Sequence, residues 1–311
     1  MDQRQWTPTR WARNGDVRLA FDTLIGADEG DPLLLIMGLG VSRLWWPDGL
    51  CRVLADQRFA VARYDQRDAG ESTLLPPTRT RLPVTALLGR RGKAYTAEDM
   101  ADDAIAVLDE LGWDSAHLFG VSLGGAVAQR VAIRHPHRVR TLTSMSAVPA
   151  DAAGLGTLRY INIRALARLS RTRFPDTREG AIEASLAVAR FCASPHQPFD
   201  EDEERTRAER LADTGARDAQ AQSRQIGAQW HGPAISTITA PTLVLHGQDD
   251  PLIRPRAATA IAARIPGARL VMLPGVGHEV SAPVWHTVAA RVRALADNAT
   301  GRTGPGSPGT P

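Results

Sequence analysis

Runs of strand length, apolar at most positions, recur along this chain and alternate with stretches of helical periodicity. Pro32 to Met37 reads Pro-Leu-Leu-Leu-Ile-Met and ends at Gly38; Phe59 to Tyr64 and Ala116 to Val121 have the same character, and the strand pattern returns at Pro241 to Leu245 and Ala268 to Leu273. Such a strand has no polar face to give to water, so it must be covered on both sides, as central strands of a parallel sheet are. The intervening segments supply the cover. After Thr96, an N-cap residue type, Met100, Ala104, Val107, Leu108 and Leu111 fall on one face and acids on the other, ending at Gly112. Pro283 to Ala296 carries Val284, Val288, Val292 and Leu295 on one face, with proline in its first turn. Val17 to Thr23 is the candidate first strand. Strands alternating with crossover helices predict an α/β fold with a mostly parallel sheet.

The alternation stops between residues 148 and 238, a stretch rich in Arg, Ala and Glu in which Leu155, Leu158, Leu166 and Leu169 have loosely helical spacing. The expected organisation is therefore a core formed by residues 1–147 and 239–297, with a helical cap over residues 148–238. Residues 298–311, poor in apolar side chains, are expected to be a disordered tail.

No run approaches the roughly 20 apolar residues of a membrane span, and Met1 to Arg13 lacks the apolar stretch of a signal peptide. A soluble, cytoplasmic protein with no membrane partner is expected. The 37 basic and 34 acidic residues nearly balance at a net charge of +3. No basic stripe is interleaved with aromatics, which argues against a nucleic-acid partner. Cys51 and Cys192 are too few and too far apart for a disulfide framework or a metal site and read as free, buried thiols. Oligomeric state is not legible.

Gly120-Val121-Ser122-Leu123-Gly124-Gly125 sits where an apolar strand meets a helical stretch. There, small residues around Ser122 allow a sharp turn that projects its Oγ above the strand ends, beside a helix N-terminus. A serine hydroxyl is a weak nucleophile at neutral pH and needs a base, which in turn needs an orienting carboxylate. Both are available downstream, each just past a strand: Asp249 and Asp250 after Pro241 to Leu245, and His278 after Ala268 to Leu273. His246 lies too near the acids' own turn to act as their base, and His135 and His137 flank Pro136 at a helix end, where a cation suits the dipole. A tetrahedral oxyanion needs preorganised donors. The backbone N–H of Leu123 is one candidate, and that of Leu39, in the Met37-Gly38-Leu39-Gly40 turn, is the other.

Together these residues resemble the α/β-hydrolase superfamily from about residue 15 to residue 297. Leu33 to Gly38, Trp46-Pro47-Asp48 and Arg63 to Ser72 further resemble the aclacinomycin methylesterase group, which hydrolyses a methyl ester on an aromatic polyketide. Met37, where many relatives have histidine, is shared with that group. The resemblance implies Asp250, which precedes Pro251, as the acid, with Asp249 as the fallback. It also implies a structural role for the turn holding Asp65, Arg67 and Gly70. Some relatives place the acid one strand earlier, but no carboxylate occurs there before Asp151. The expected activity is hydrolysis of a carboxylic ester of a bulky apolar small molecule, a methyl ester among the candidates, through an acyl-Ser122 and without metal or organic cofactor. Ser122 excludes the aspartate-nucleophile dehalogenases and epoxide hydrolases. A lactonase, a C–C bond hydrolase or a cofactor-free haloperoxidase would keep the same residues, and a non-catalytic binding protein on this scaffold is the reading from another class. Arg164, Arg168, Arg171 and Arg173 read as a solvated helix face.

Overall fold

The computed structural model describes residues 5–26, 29–76, 94–169, 172–214 and 220–301. The apolar runs become strands of one sheet, eight-stranded among the described residues: β1 (Arg10–Asn14), β2 (Val17–Thr23), β3 (Asp31–Ile36), β4 (Phe59–Tyr64), β5 (Ala116–Val121), β6 (Val139–Met145), β7 (Thr242–Gly247) and β8 (Arg269–Leu273). Their order is β1-β2-β4-β3-β5-β6-β7-β8. β1 pairs antiparallel with β2 and β2 with β4, and the remaining pairs are parallel. Every residue of β4, β5 and β7 is buried, as the two-sided cover requires.

Alternate residues feed two apolar layers. Leu34 and Ile36 join Leu118 and Val244 beneath α2 (Ala97–Glu110) and α3 (Leu123–Arg134), where Met100, Val107, Val127 and Val131 pack. Leu33 and Leu35 join Phe119 and Leu245 on the opposite face, beneath α1 (Asp48–Asp56) and the C-terminal helix, through Leu50, Leu54, Val288 and Val292. Each fully buried leucine contributes roughly 1.5–3 kcal/mol to folding. Helix α2 begins with a capping box: Thr96 Oγ1 accepts from the Asp99 N–H, and Asp99 Oδ2 accepts from the Thr96 N–H at 2.7 Å.

Between β6 and β7 lie α4 (Ile163–Leu169), α5 (Arg178–Cys192), α6 (Glu201–Asp213) and α7 (Ala221–Gly227). Helices α5 and α6 pack through Ile182, Leu186 and Ala208. Leu155 and Leu166 face solvent, so their helical spacing marks no buried stripe. After β7 come α8 (Arg256–Arg264), then β8 and α9 (Trp285–Thr300). Helix α9 continues past Ala296, its expected end, and through residues 298–300 of the expected disordered tail to a left-handed cap at Gly301; residues 302–311 lie outside the described residues. No helix among the described residues is long and apolar enough to cross a membrane.

β1 was not expected from sequence. Of its five residues only Ala12 is buried, as suits an edge strand bonded on one side. The signal for it was Asn14-Gly15, with Gly15 at φ +58°, a turn that folds β1 back on β2.

β3 lies between β4 and β5. The chain leaves it toward one side of the sheet and β5 toward the other, and this divergence opens a crevice at the carboxyl ends of the strands.

Candidate active site

Ser122 follows β5 at that crevice. Its backbone has φ +57° and ψ −121°, a conformation that costs an L-residue about 1–3 kcal/mol and persists only where the surroundings enforce it. The surroundings here are backbone. A side chain on Gly120 would strike the Gly124 carbonyl, and one on Gly124 would strike those of Ile36 and Met37. The Ser122 N–H donates to Met145 O at 2.9 Å, closing the turn against β6. Ser122 caps α3 without a side-chain bond of its own, leaving its hydroxyl uncommitted to the helix.

Asp250 and His278 meet at the same edge of the sheet. His278 Nδ1 donates to Asp250 Oδ2 at 2.8 Å, and Asp250 Oδ1 accepts from the N–H groups of Leu252 and Ile253, each at 2.8 Å. The carboxylate is fully buried. Burial alone would favour its neutral form, but the facing imidazole and the Ile253 N–H outweigh it and hold Asp250 below the usual carboxylate range. Burial of the His278 ring likewise disfavours its cation, yet the charge and hydrogen bond of Asp250 prevail and hold the imidazole above its ordinary value. With Nδ1 donating, neutral His278 carries its lone pair on Nε2. Ser122 makes no side-chain hydrogen bond among the described residues; the acid and the histidine are joined here, and the serine is not yet joined to them.

The turn after β3 stands directly beside the serine. A Cβ on Gly38 would lie 3.2 Å from Ser122 Cβ. Gln66 Nε2 donates to Met37 O at 2.6 Å, and the Gly40 N–H donates to Gln225 Oε1 at 2.7 Å. Between these fixed ends, the Leu39 N–H has no acceptor among the described residues. The Leu123 N–H, in the first turn of α3, has none either.

Asp249, the fallback acid, faces elsewhere: its Oδ2 accepts from Ser194 Oγ at 2.6 Å and from His196 Nδ1 at 2.9 Å. His246 is buried, and its Nε2 donates to Ile253 O at 3.1 Å, steadying the loop that carries Asp250. His135 caps α3 and contacts Asp102. Asp65 accepts from Ser42, from the Arg43 backbone and guanidinium, and from the Glu71 N–H, and a side chain on Gly70 would strike it; this turn is structural. Cys51 and Cys192 are free and buried, and burial pushes the Cys51 thiol up to about 12. Arg164, Arg168 and Arg173 are exposed, and Arg171 lies outside the described residues.

Two features of the site were missed from sequence. Glu279, next to His278, is pushed up to about 7 by burial and by Glu204, and His278 precedes it so closely that either residue's charge is felt by the other. The second is the grip of the inserted helices on the site. The His278 N–H donates to Cys192 O at 2.8 Å, and Arg224 clamps Asp68 with two bonds of 2.7 and 2.8 Å. These partners lie far apart in the chain and carry no local pattern.

The comparisons agree with this architecture. Over 313 aligned residues, covering 94% of this chain and 99% of the relative, the chain is 32% identical to the rhodomycin D methylesterase of Streptomyces peucetius. It is 30% identical over 262 residues to the 2-hydroxymuconate semialdehyde hydrolase of Pseudomonas putida, covering 80% and 81% of the two chains. The crystal structure of a hydrolase from Pseudomonas aeruginosa superposes with a TM-score of 0.65 at 23% identity, covering 94% of this chain and 98% of that one. Residues 31–282 match the family described as alpha/beta hydrolase fold. The expected fold and the methylesterase-like kinship are borne out: this chain belongs to the α/β-hydrolase family and is a hydrolase.

Proposed function

We propose that the chain is a serine esterase that hydrolyses a carboxylic ester, a methyl ester by preference, of a bulky apolar small molecule. The observation that carries the reading is the buried Asp250–His278 pair, 2.8 Å apart, on the strand edge where Ser122 is held at φ +57°. As substrate enters, Ser122 Oγ closes on His278 Nε2, a contact that tightens in the substrate complex. The oxygen attacks the ester carbonyl while its proton passes to Nε2, and Asp250 stabilises the resulting imidazolium. The tetrahedral oxyanion accepts from the Leu39 and Leu123 N–H groups. Its collapse breaks the acyl–oxygen bond, and the alcohol leaves with the proton from His278. Water, deprotonated by His278, then attacks acyl-Ser122 and releases the acid. Every step uses side chains and backbone groups of this chain, and no cofactor is required.

The methylesterase relative, aligned over nearly both full lengths, supports the choice of ester. In this reading residues 148–238 form a cap that walls the substrate pocket, since they grip the loops around Ser122 and His278. Cleavage of a C–C bond by the same residues is the second reading, favoured by the kinship to the semialdehyde hydrolase.

The test is turnover of a graded panel of p-nitrophenyl and methyl esters by wild type and Ser122→Ala. Turnover by the wild type alone supports the esterase. Turnover undiminished by Ser122→Ala would remove the serine from the chemistry. Hydrolysis of a vinylogous diketone with no ester activity would favour the second reading.

A further inference from the structure

Helix α7 belongs to the inserted segment, yet Gln225 on it is almost completely buried and bonded twice to the core. Its Oε1 accepts from the Gly40 N–H at 2.7 Å and its Nε2 donates to Arg67 O at 2.8 Å. One amide thus ties the turn after β3 to the turn after β4. The neighbouring contacts make this a rigid attachment. Arg224 holds α7 down through its paired bonds to buried Asp68, and a side chain on Gly40, itself at φ +65°, would run into Gln222. At the other end of the turn, Gln66 Nε2 fixes the Met37 carbonyl. The segment Gly38-Leu39-Gly40 is therefore held by two side-chain amides, one from the core and one from the insertion, and the N–H between them is that of Leu39.

We infer that Gln225 is a positioning residue for the oxyanion turn, so that the inserted segment completes the catalytic machinery as well as walling the pocket. The inference rests on the proposal that Leu39 donates to the oxyanion. The physical basis is preorganisation: such a donor is effective only if it already points at the place where charge will develop. The peptide that carries the Gly40 N–H is one unit along from the peptide that carries the Leu39 N–H. Releasing the first lets the second rotate, and a donor displaced by about 1 Å costs on the order of 100-fold in rate. The ground-state carbonyl carries little charge and barely registers the change.

The experiment compares wild type, Gln225→Met and Gln225→Glu in two measurements: the second-order rate of Ser122 labelling by a fluorophosphonate, and kcat and KM on a p-nitrophenyl ester. Gln225→Met keeps the side-chain volume and loses both hydrogen bonds; Gln225→Glu keeps the acceptor for Gly40. The expected result for Gln225→Met is a fall of roughly 10- to 100-fold in both labelling rate and kcat, with KM within about threefold of wild type. Gln225→Glu should recover most of the lost kcat. Should Gln225→Met not fold, Gln225→Asn, one methylene too short to span both turns, takes its place with the same expectation. Labelling and kcat within twofold of wild type would overturn the inference. So would a KM that rises in step with the loss of kcat, or a Gln225→Glu as impaired as Gln225→Met, since either would mean packing and not the Gly40 bond. A wild type that neither labels nor turns over would instead sink the serine reading, and this inference with it.

Discussion

Replacing Asp250 by Asn keeps the size of the side chain and changes what it can say to His278. In the native site Oδ1 accepts from two backbone N–H groups and Oδ2 from His278 Nδ1, all at 2.8 Å. An asparagine has one oxygen and one NH2 to distribute over these three donors. Turning the NH2 toward Leu252 and Ile253 would leave two buried N–H groups without acceptors, at about 1–3 kcal/mol each. The oxygen therefore stays on the backbone and the NH2 faces the imidazole. His278 must then offer an Nδ1 lone pair and carry its proton on Nε2, the tautomer that cannot take a proton from Ser122. The expected loss in kcat is on the order of 10³- to 10⁴-fold, the scale of the equivalent wrong-tautomer change in a chymotrypsin-type site, or about 4–5.5 kcal/mol of barrier. KM should change little. The pH profile adds a signed test. Neutral His278 is the active form and Asp250 holds its pKa above the ordinary value, so wild-type kcat/KM should rise with pH through a limb above about 6.5. Without the carboxylate, burial is opposed only by the charge of Glu279, and the limb of the residual activity moves to lower pH. Steady-state kinetics on the best ester of the panel between pH 5 and 9 measures both. An Asp250→Asn variant within tenfold of wild type would refute the assignment and shift attention to Asp249.

Ser122→Ala and Ser122→Gly should both lack turnover, but the glycine variant should be more stable to denaturant by about 1 kcal/mol, because only the alanine retains the cost of φ +57°; equal stabilities would mean the turn is not strained. Leu39→Ala should keep kcat within a few-fold, while Leu39→Pro, which removes the N–H, should abolish it; a proline variant that is folded and active would exclude that donor. Gly124→Ala should cost about 3 kcal/mol or more in urea unfolding, since the added methyl meets the carbonyls of Ile36 and Met37 and not a movable side chain. Glu279→Gln should move the acid limb of kcat/KM to lower pH, because the ionised Glu279 supports the His278 cation; a limb that moves upward would contradict the coupling.

What could be read in the sequence was whatever the chain dictates locally. The central strands were legible because a segment buried on both faces must be apolar throughout, and β4, β5 and β7 are buried at every position. The edge strand β1 was not, because one buried residue in five leaves no alternation to detect. Ser122 was legible because its turn is made by near neighbours: Gly120 and Gly124 are required by each other and by the end of β3. That Asp250, and not Asp249, pairs with His278 also has a local component. The Asp250 carboxylate bonds the N–H groups two and three residues ahead, a turn that Asp-Pro favours. Its neighbour's partners, Ser194 and His196, lie more than fifty residues away, and nothing near Asp249 announces them.

The inserted segment was the least legible part for the same reason. Its helices are held to the core by individual polar bonds spanning long stretches of chain: Arg224 to Asp68, Gln225 to Gly40 and Arg67, and the Cys192 carbonyl to the His278 N–H. Polar side chains on a short helix look like a solvated surface until the fold supplies their partners, which is how Gln225 escapes a periodicity argument that finds Val127 and Val131 at once. The consequence bears on how the insertion can move. An attachment at Gln225 and another at Cys192 tie α7 to the turn after β3 and α5 to the His278 loop, so swinging these helices away would break the bonds that hold both. The stretch before α4 is tied to the Asp250 loop as well, through the Arg254 N–H to Tyr160 O and the Asn162 N–H to Leu252 O, each at 2.8 Å, so motion that admits substrate is expected in α4 itself, whose Ile163 and Leu166 side chains are exposed. A disulfide or crosslink pinning α7 to the β3 turn should therefore leave turnover intact, whereas one pinning α4 to the core should slow substrate entry and lower kcat/KM; the opposite pattern would place the hinge in α7 and contradict a fixed role for Gln225.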